Sequence, residues 1–211
     1  MPVLNESEGL RECLVNLPIK SQAKHEIEVI ICDGGSHDRT LEIARKFPVK
    51  TIHAPAGRAN QMNAGAAAAS GEIFLFLHAD TTLPERGCDA VIKAIESGFS
   101  MGCFERKFTS SSRTLRKTSA LAGWRARKTY WVYGDQAMFM RRDVFEQISG
   151  FKPLARFEDL DLALRAKRHG RWTVLPGTAV SDARRFKNGT LRRIIGDFLL
   201  TVGWLTGIIK K

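Results

Sequence analysis

The feature that most constrains the fold of this chain is an alternation of short apolar runs with longer amphipathic stretches. EIEVIICD, VKTIHA and EIFLFLHAD predict strands, whereas HDRTLEIARKF and GRANQMNAGAAAASG between them predict helices. The alternation has no repeat period, and strands that alternate with helices are typical of βαβ units. The sequence therefore predicts an α/β fold in which helices flank a mainly parallel central sheet.

Two aspartates stand at the predicted carboxyl ends of buried strands. Asp33 ends EIEVIICD, and Asp80 ends EIFLFLHAD. In open α/β sheets, ligands bind outside the carboxyl ends of the strands. A carboxylate at this position is suited to hold a divalent cation, which would bridge the diphosphate of a nucleotide. The simpler interpretation of Asp80 is a turn residue that caps Thr81 and Thr82.

The segment DGGSHDRT, residues 33–40, joins a predicted strand to a predicted helix. Gly34 and Gly35 allow the backbone to turn sharply and to approach a ligand closely, while Asp33 offers a carboxylate to a base or a ribose. An ordinary strand-to-helix turn would use the same residues. On this segment alone, both interpretations stay open.

The helical segment FEDLDLALRAKRHG begins with two neighbouring acids, Glu158 and Asp159. Negative charge at a helix N-terminus is favoured by the helix dipole whatever the function, so the pair alone does not establish a site. In a group-transfer enzyme, one of the two would be the general base that deprotonates an acceptor hydroxyl.

The length of 211 residues suits one sizeable α/β domain. We expect that domain over residues 1–190, followed by an apolar and basic helical tail over residues 191–211. The four cysteines lie far apart without a Cys-x-x-Cys pair, and the N-terminal segment MPVLNESEGL does not have the pattern of a secretory signal. These features predict a cytoplasmic protein with reduced thiols.

The net charge of +11 favours polyanionic partners. Many of the cations lie between residues 106 and 128, where no acidic residue occurs. One interpretation is a basic module that binds nucleic acid or a membrane surface without catalysis, because Trp124, Tyr130 and Trp131 lie among the cations. We favour a solvated helix whose aromatic residues pack inward, so nucleic acid is not an expected partner.

An apolar stretch over residues 198–209 lies near the C-terminus. It is shorter than the ~20 residues that a membrane-spanning helix needs. Cations beside an apolar stretch favour attraction to anionic lipid. This pattern predicts a peripheral location on the inner face of the membrane, where a lipid-linked acceptor would be found.

Five segments, in this order and spacing, resemble the motifs of family 2 glycosyltransferases with a GT-A fold. They are PVLNE, DGGSHDRT, GRANQMNAGAAAASGEIFLFLHAD, YGDQAMFMRRDVFEQISGF and FEDLDLALR. The forms GRANQMN and LHAD are most similar to a bacterial subgroup of small, single-domain members. The ordered set covers residues 2 to about 185.

The resemblance implies a transferase that uses a nucleoside-diphosphate sugar, works with inversion and is assisted by Mg²⁺ or Mn²⁺. UDP is the nucleotide we prefer, because the enzymes that this chain resembles often use UDP-sugars. By this likeness, Asp33 would contact the base, with Glu6 nearby. Arg58 would lie against the nucleotide, with Asn63 near it. Asp80 corresponds to the last acid of the Asp-x-Asp motif of the family and would hold the cation.

The resemblance also assigns the acceptor side. Asp159 would be the general base, and Glu158 would support acceptor placement. The sugar and acceptor would be bordered by Gly134, Asp135 and Gln136. The departing diphosphate would be reached by Arg184 and Arg185. Guanidinium groups match phosphate oxygens well, which suits the two arginines to the diphosphate.

Two features depart from the family pattern. In the family, PVLNE ends a full central strand, whereas here Met1 directly precedes Pro2, so we expect a truncated first strand. His78 stands where many relatives have the first acid of Asp-x-Asp. A single protein carboxylate predicts weaker metal binding in the absence of nucleotide, and His78 itself is expected to orient neighbours or to be structural.

Nucleotidyl transfer is a further alternative, because it uses a strand-end acid and a metal on a similar scaffold. It normally needs a glycine-rich phosphate loop near the first strand, which PVLNESEG does not provide. Glycosyl transfer to an unidentified hydroxyl is therefore the leading hypothesis.

Overall fold

The computed structural model describes residues 1–17, 25–110, 112–183 and 190–208. The strands in these ranges are β1 (Pro2–Val3), β2 (Ile30–Asp33), β3 (Lys50–His53), β4 (Ile73–Leu75), β5 (Thr81–Thr82), β6 (Met101–Phe108), β7 (Phe139–Arg141) and β8 (Trp172–Ser181). The α-helices are α1 (Ser7–Asn16), α2 (Thr40–Ala44), α3 (Arg58–Ala68), α4 (Gly87–Glu96), α5 (Arg113–Thr129), α6 (Arg142–Gln147), α7 (Glu158–Ala166) and α8 (Thr190–Leu205). A short 3₁₀ turn covers Gly134–Gln136.

The strands form two sheets. The first has the order β1-β2-β3 with all pairs parallel, and Val3 lies opposite Asp33. The second has the order β4-β7-β6-β8-β5. In it β6 and β8 are parallel. The antiparallel pairs are β4 with β7, β6 with β7 and β5 with β8. The predicted α/β architecture with parallel strands and flanking helices is confirmed, and the antiparallel pairs of the second sheet add to it.

The small residues of α3 allow this helix to lie close to the first sheet. A Cβ atom at Gly65 would come within 2.7 Å of the Cys32 sulfur on β2. The side-chain amide of Gln61 donates to the carbonyl oxygens of Val3 at 2.8 Å and Cys32 at 2.7 Å. These bonds fix the start of α3, and with it Arg58, beside the carboxyl ends of β1 and β2.

The apolar run before Asp80 leaves the sheet earlier than its hydrophobicity predicts. β4 ends at Leu75, and the Phe76 amide then donates to the Met138 carbonyl at 2.8 Å. Phe76, Leu77 and Ala79 are nevertheless buried. The run is therefore apolar because it crosses the core, and it delivers Asp80 to the loop between β4 and β5.

Helix α5 packs on the second sheet through a narrow inner face. Its buried residues are Leu115, Ala122, Gly123 and Ala126. Trp124, which we expected to pack inward, is 59% exposed, so that expectation is wrong for this residue. The helical period places position 124 on the opposite side from positions 122 and 126.

Helix α8 packs on the domain through one face. The hydroxyls of Tyr133 and Thr201 are 2.8 Å apart, and the rings of Phe157 and Trp204 have centroids 5.6 Å apart. Thr201 and Trp204 are buried by these contacts. Among the helices of the described residues, none is both long and apolar enough to cross a bilayer.

Candidate active site

A cleft of about 380 Å³ opens beside the carboxyl end of β1. The N-terminal segment, the start of α3 and the loop after β4 form its walls. Three predicted site residues line it together: Glu6, Arg58 and Asp80. Val3, Gly57 and His78 lie in the same walls. The structure therefore brings together Glu6 and Asp80, which are 74 positions apart in sequence.

Asp80 is held in a defined position by the strands that follow. Its Oδ1 accepts a hydrogen bond from the Thr81 hydroxyl at 3.1 Å, and its carbonyl accepts the Asp182 amide at 3.0 Å. Thr81 is fully buried and its hydroxyl lies 2.8 Å from that of Ser181. The carboxylate is thus presented to the cleft from a fixed β5–β8 ladder.

The donor set in the cleft suits a divalent cation that is shared with a phosphate ligand. No group of three or more His, Cys, Asp or Glu side chains converges on a metal site in the part of the chain that the structure describes. Mg²⁺ is commonly held by one or two carboxylates and by substrate phosphates rather than by a complete protein cage. Asp80 fits that arrangement as a single protein carboxylate.

The acid pair lies at the start of α7, where Phe157 enters the helix with a φ of 66°. Glu158 is 1% exposed, and neither of its carboxylate oxygens has a hydrogen-bond partner among the described residues. The Arg58 Nε lies 2.6 Å from Glu158 Oε1 and supplies the compensating charge. Arg58 thereby connects the cleft to the acid pair.

Asp159 is also buried, and its pKa is raised to about 7. Burial is the main cause, and the charge of Glu158 adds to it. Arg58 and the backbone amide of Gly134 act in the opposite direction. A carboxylate with this pKa binds a proton readily near neutral pH, as a general base must.

Gly134 allows His78 and Asp159 to approach each other. A Cβ atom at position 134 would lie 2.3 Å from Cε1 and Nε2 of His78, and 2.8 Å from Oδ2 of Asp159. Side chains do not tolerate such distances, so the 3₁₀ turn, the Asp80 loop and the start of α7 fit together only around a glycine.

The family model for glycosyl transferase family 2 matches residues 1–154. This chain belongs to glycosyl transferase family 2. The prediction that the resemblance made is therefore confirmed. All residues that line the cleft fall within the matched region, whereas the acid pair of α7 lies beyond it.

Relatives of this family 2 member occur in archaea and bacteria. The glycosyltransferase AglE of Haloferax volcanii is 26% identical over 170 residues, which cover 72% of this chain and 54% of that protein. The probable glycosyltransferase YdaM of Bacillus subtilis is 22% identical over 193 residues, which cover 81% and 46%. The chain spans about half the length of these curated relatives.

Solved structures share the fold. S. aureus TarS 1-349 in complex with UDP-GlcNAc has a TM-score of 0.71 at 19% identity, over 87% of this chain and 57% of that one. The mannosyltransferase PcManGT of Pyrobaculum calidifontis, in complex with GDP-Man and Mn²⁺, has a TM-score of 0.67 at 21% identity, over 90% and 56%. The predicted GT-A fold is thus confirmed for this family 2 member.

Asp33 is buried and is not among the residues that line the cleft of this family 2 domain. Its carboxylate accepts the backbone amides of Gly35 at 3.0 Å and Ser36 at 3.1 Å, and His53 Nδ1 lies 3.4 Å away. Burial opposes its ionisation, but the bonds from Ser36 and Gly35 more than offset this and lower its pKa. Asp33 therefore organises the turn of DGGSHDRT, whatever its role toward a base.

Asn63 and Gln136, two predicted site residues with side-chain amides, make contacts within the protein. The Asn63 side chain donates to the Phe151 carbonyl at 2.8 Å and accepts the Phe151 amide at 2.9 Å, which joins α3 to the loop after α6. Gln136 is fully buried and donates to the Phe104 carbonyl at 3.3 Å. The Arg125 guanidinium donates to the side-chain oxygen Oε1 of Gln136 at 3.3 Å. Both predicted ligand contacts stay predictions.

Asp135 has a partner that the sequence did not indicate. Its Oδ2 accepts a hydrogen bond from Arg106 at 2.8 Å, and each side chain of the pair is 9% exposed. In the sequence, Arg106 counted only as one cation of the basic segment; the alternation of β6 places it on the inner side of the sheet. Arg184 and Arg185 lie outside the described residues, so their predicted role toward the diphosphate stays a prediction.

Proposed function

We propose that this family 2 member transfers a sugar from a nucleoside-diphosphate sugar to an acceptor hydroxyl, with inversion and with the help of a divalent cation. The observation that carries the proposal is the 2.6 Å contact between Arg58, which lines the cleft, and Glu158, which precedes Asp159. This contact joins the wall of the cleft, where Arg58 would bind phosphate, to the buried acid pair, where Asp159 would be the base.

Asp159 would remove the proton of the acceptor hydroxyl. Its pKa near 7 lets it accept a proton in the transition state without being protonated throughout the working pH range. The deprotonated oxygen would attack the anomeric carbon from the side opposite to the diphosphate. Glu158 would keep the cleft-facing Arg58 in place, because a buried carboxylate holds its ion-pair partner strongly.

The leaving diphosphate would be stabilised from the other wall of the cleft. A divalent cation, when bound, neutralises charge that develops on phosphate oxygens. Asp80 would hold it, with Mg²⁺ or Mn²⁺ as the fitting ions. Arg58 would add its positive charge to the same oxygens.

The donor nucleotide that we propose is UDP. S. aureus TarS was solved with UDP-GlcNAc and PcManGT with GDP-Man and Mn²⁺, so related folds accommodate both uridine and guanosine donors. The acceptor hydroxyl is unidentified, and a lipid-linked carrier is the hypothesis that the sequence favours.

Calorimetric titration tests the donor site without any acceptor. We expect UDP to bind the chain in the presence of Mn²⁺ and at least ten-fold more weakly in its absence. An Asp80→Asn variant should lose the effect of Mn²⁺, whereas Asp89→Asn on α4 should retain it. If neither UDP nor GDP bound the folded chain with Mn²⁺ present, the proposal would be overturned.

A further inference from the structure

The outer face of α5 combines cations with large apolar side chains. Arg113, Arg116 and Lys117 are exposed in its first half, and Lys128 is exposed near its end. Between them, Leu121 is 61% exposed and Trp124 is 59% exposed. All of these positions follow helical spacing, so they share one stripe of the helix.

The outer face of α8 is also apolar. Ile195, Phe198 and Leu199 are 50%, 58% and 62% exposed, and Ile208 just beyond the helix is 82% exposed. Large apolar residues are rarely so exposed in a group unless they contact a partner. Nothing in the described part of the chain covers them.

The two outer faces lie on neighbouring helices. Helices α5 and α8 contact each other, and each packs its inner face on the domain. Both outer faces are exposed to solvent, and we call them together the α5–α8 surface.

We propose that the α5–α8 surface binds an anionic lipid bilayer. Cations on α5 would meet anionic headgroups, while the exposed side chains of Trp124, Phe198 and Leu199 would enter the boundary between headgroups and acyl chains. Charge complementarity favours this occupant over a second copy of the chain, because two chains of net charge +11 would bring cationic faces together. Most of the exposed apolar side chains, Leu121, Ile195, Leu199 and Ile208, are aliphatic and offer no ring on which a base could stack, which favours lipid over RNA.

The α5–α8 surface adjoins the acceptor side of the site. On α5, the Arg125 guanidinium lies 4.5 Å from the centre of the Tyr133 ring and contacts Gln136. On α8, Trp204 packs on Phe157, the residue before the acid pair. This placement would hold the acceptor side next to the bilayer. It therefore favours an acceptor that the bilayer carries, an inference that rests on the proposed function.

Sedimentation with vesicles tests the proposal. The chain should sediment with phosphatidylcholine vesicles that contain phosphatidylglycerol at low salt, and much less with phosphatidylcholine alone. Phe198→Asp combined with Leu199→Asp, and separately Arg116→Glu combined with Lys117→Glu, should each lower partitioning at least ten-fold. Matched controls are Val15→Asp, which changes a side chain 64% exposed on α1, and Arg45→Glu with Lys93→Glu. If the wild type did not sediment, or the controls lost as much, the proposal would fail.

Fluorescence gives a second readout that folding defects do not imitate. Trp124 is the tryptophan most open to solvent among the described residues, since Trp204 is buried and the other two are half-buried. Brominated phosphatidylglycerol should quench the emission of the wild type, and Trp124→Phe should remove most of that quenching. Unquenched emission on vesicles that carry the protein would overturn the proposal.

Other occupants would be recognised in the same series. A dimer would overturn the proposal if it dissociated in Phe198→Asp with Leu199→Asp and no vesicle binding occurred. Binding of single-stranded RNA would also overturn it if Arg116→Glu with Lys117→Glu removed that binding and no vesicle binding occurred. UDP titration of the same variants separates the two proposals. Vesicle binding without UDP or GDP binding would support the lipid proposal and reject the transferase. Nucleotide binding without vesicle binding would support the transferase and reject the lipid proposal.

Discussion

Arg58 and Glu158 form an ion pair that joins an open cleft to a buried acid. Their closest atoms, Arg58 Nε and Glu158 Oε1, are 2.6 Å apart, yet the arginine side chain is 46% exposed and the glutamate side chain 1%. A carboxylate so deeply buried depends on a cation that compensates its charge. The charge of Glu158 also contributes to the raised pKa of the neighbouring Asp159, because ionising Asp159 adds negative charge to the same buried region.

The rate of sugar transfer should therefore rise with pH. Asp159 must be deprotonated to act as the base, and its pKa of about 7 places the midpoint of kcat/KM near pH 7. Release of UDP from a UDP-sugar, measured between about pH 5.5 and 8.5, checks this. Asp159→Asn should lower the rate by roughly 10²- to 10⁴-fold and abolish the rise.

The matched control is on the same helix. Asp161 is buried but is paired with Arg165 at 2.6 Å and Lys152 at 3.5 Å, so its charge is compensated. Asp161→Asn should reduce stability and leave the pH midpoint in place. A flat pH profile in the wild type would contradict the role assigned to Asp159.

The stability of the fold should change with pH in the opposite sense to the rate. The pKa of Asp159 is about 7 when folded, above the value of about 3.9 expected in the unfolded chain. Between these values the folded state holds a proton that the unfolded state has lost. The stabilisation that this group contributes to the folded state is therefore fully present below about pH 4 and is lost as the pH rises from about 4 to about 7. Over that range the free energy of unfolding falls by at most roughly 1.4 kcal/mol per pH unit.

Urea unfolding at two pH values measures this contribution. Asp159→Asn has no charge to bury, so its stability relative to the wild type should be greater at pH 7 than at pH 5. Equal differences at the two pH values would show that Asp159 is already ionised when folded.

The sequence predicted some features of the fold from local information. EIEVIICD predicted a strand that ends at Asp33, and β2 ends there. Asp80 was predicted at the edge of the sheet and lines the cleft, although β4 already ends at Leu75. In both cases the decisive information is local, because a polar residue ends an apolar run.

Long-range contacts could not be predicted in this way. The pairing of Arg58 with Glu158 joins positions 100 residues apart, and the pairing of Arg106 with Asp135 joins a strand to a 3₁₀ turn. Neither residue of such a pair carries a local signal for the other. The strand before Asp80 ended early for the same reason, since the bond from Phe76 to Met138 depends on a neighbouring segment.

Two ion pairs of β6 should differ in their effect on stability. Arg106 and Asp135 are each 9% exposed, so Arg106→Ala would leave a buried carboxylate without its cation and should lower the free energy of unfolding by about 3 kcal/mol. Arg127 and Glu105, 46% and 43% exposed, are screened by water, and Arg127→Ala should cost less than about 1 kcal/mol. Urea unfolding compares the two variants, and similar losses would refute the distinction.

Gly134 should be intolerant of even one added methyl group. In Gly134→Ala the new Cβ would lie 2.3 Å from two ring atoms of His78 and 2.8 Å from Asp159 Oδ2, so the imidazole and the carboxylate must separate. A displacement of about 1 Å in a catalytic group lowers rates on the order of 100-fold, and we expect that loss in kcat/KM. Gly196→Ala is the control, because among the described residues no atom beyond its own helical turn lies within 4 Å of the added Cβ, and alanine favours a helix by about 1 kcal/mol. Circular dichroism and UDP titration would establish that Gly134→Ala is folded and retains the donor site. Activity within two-fold of the wild type would show that transfer does not require the close approach of His78 and Asp159.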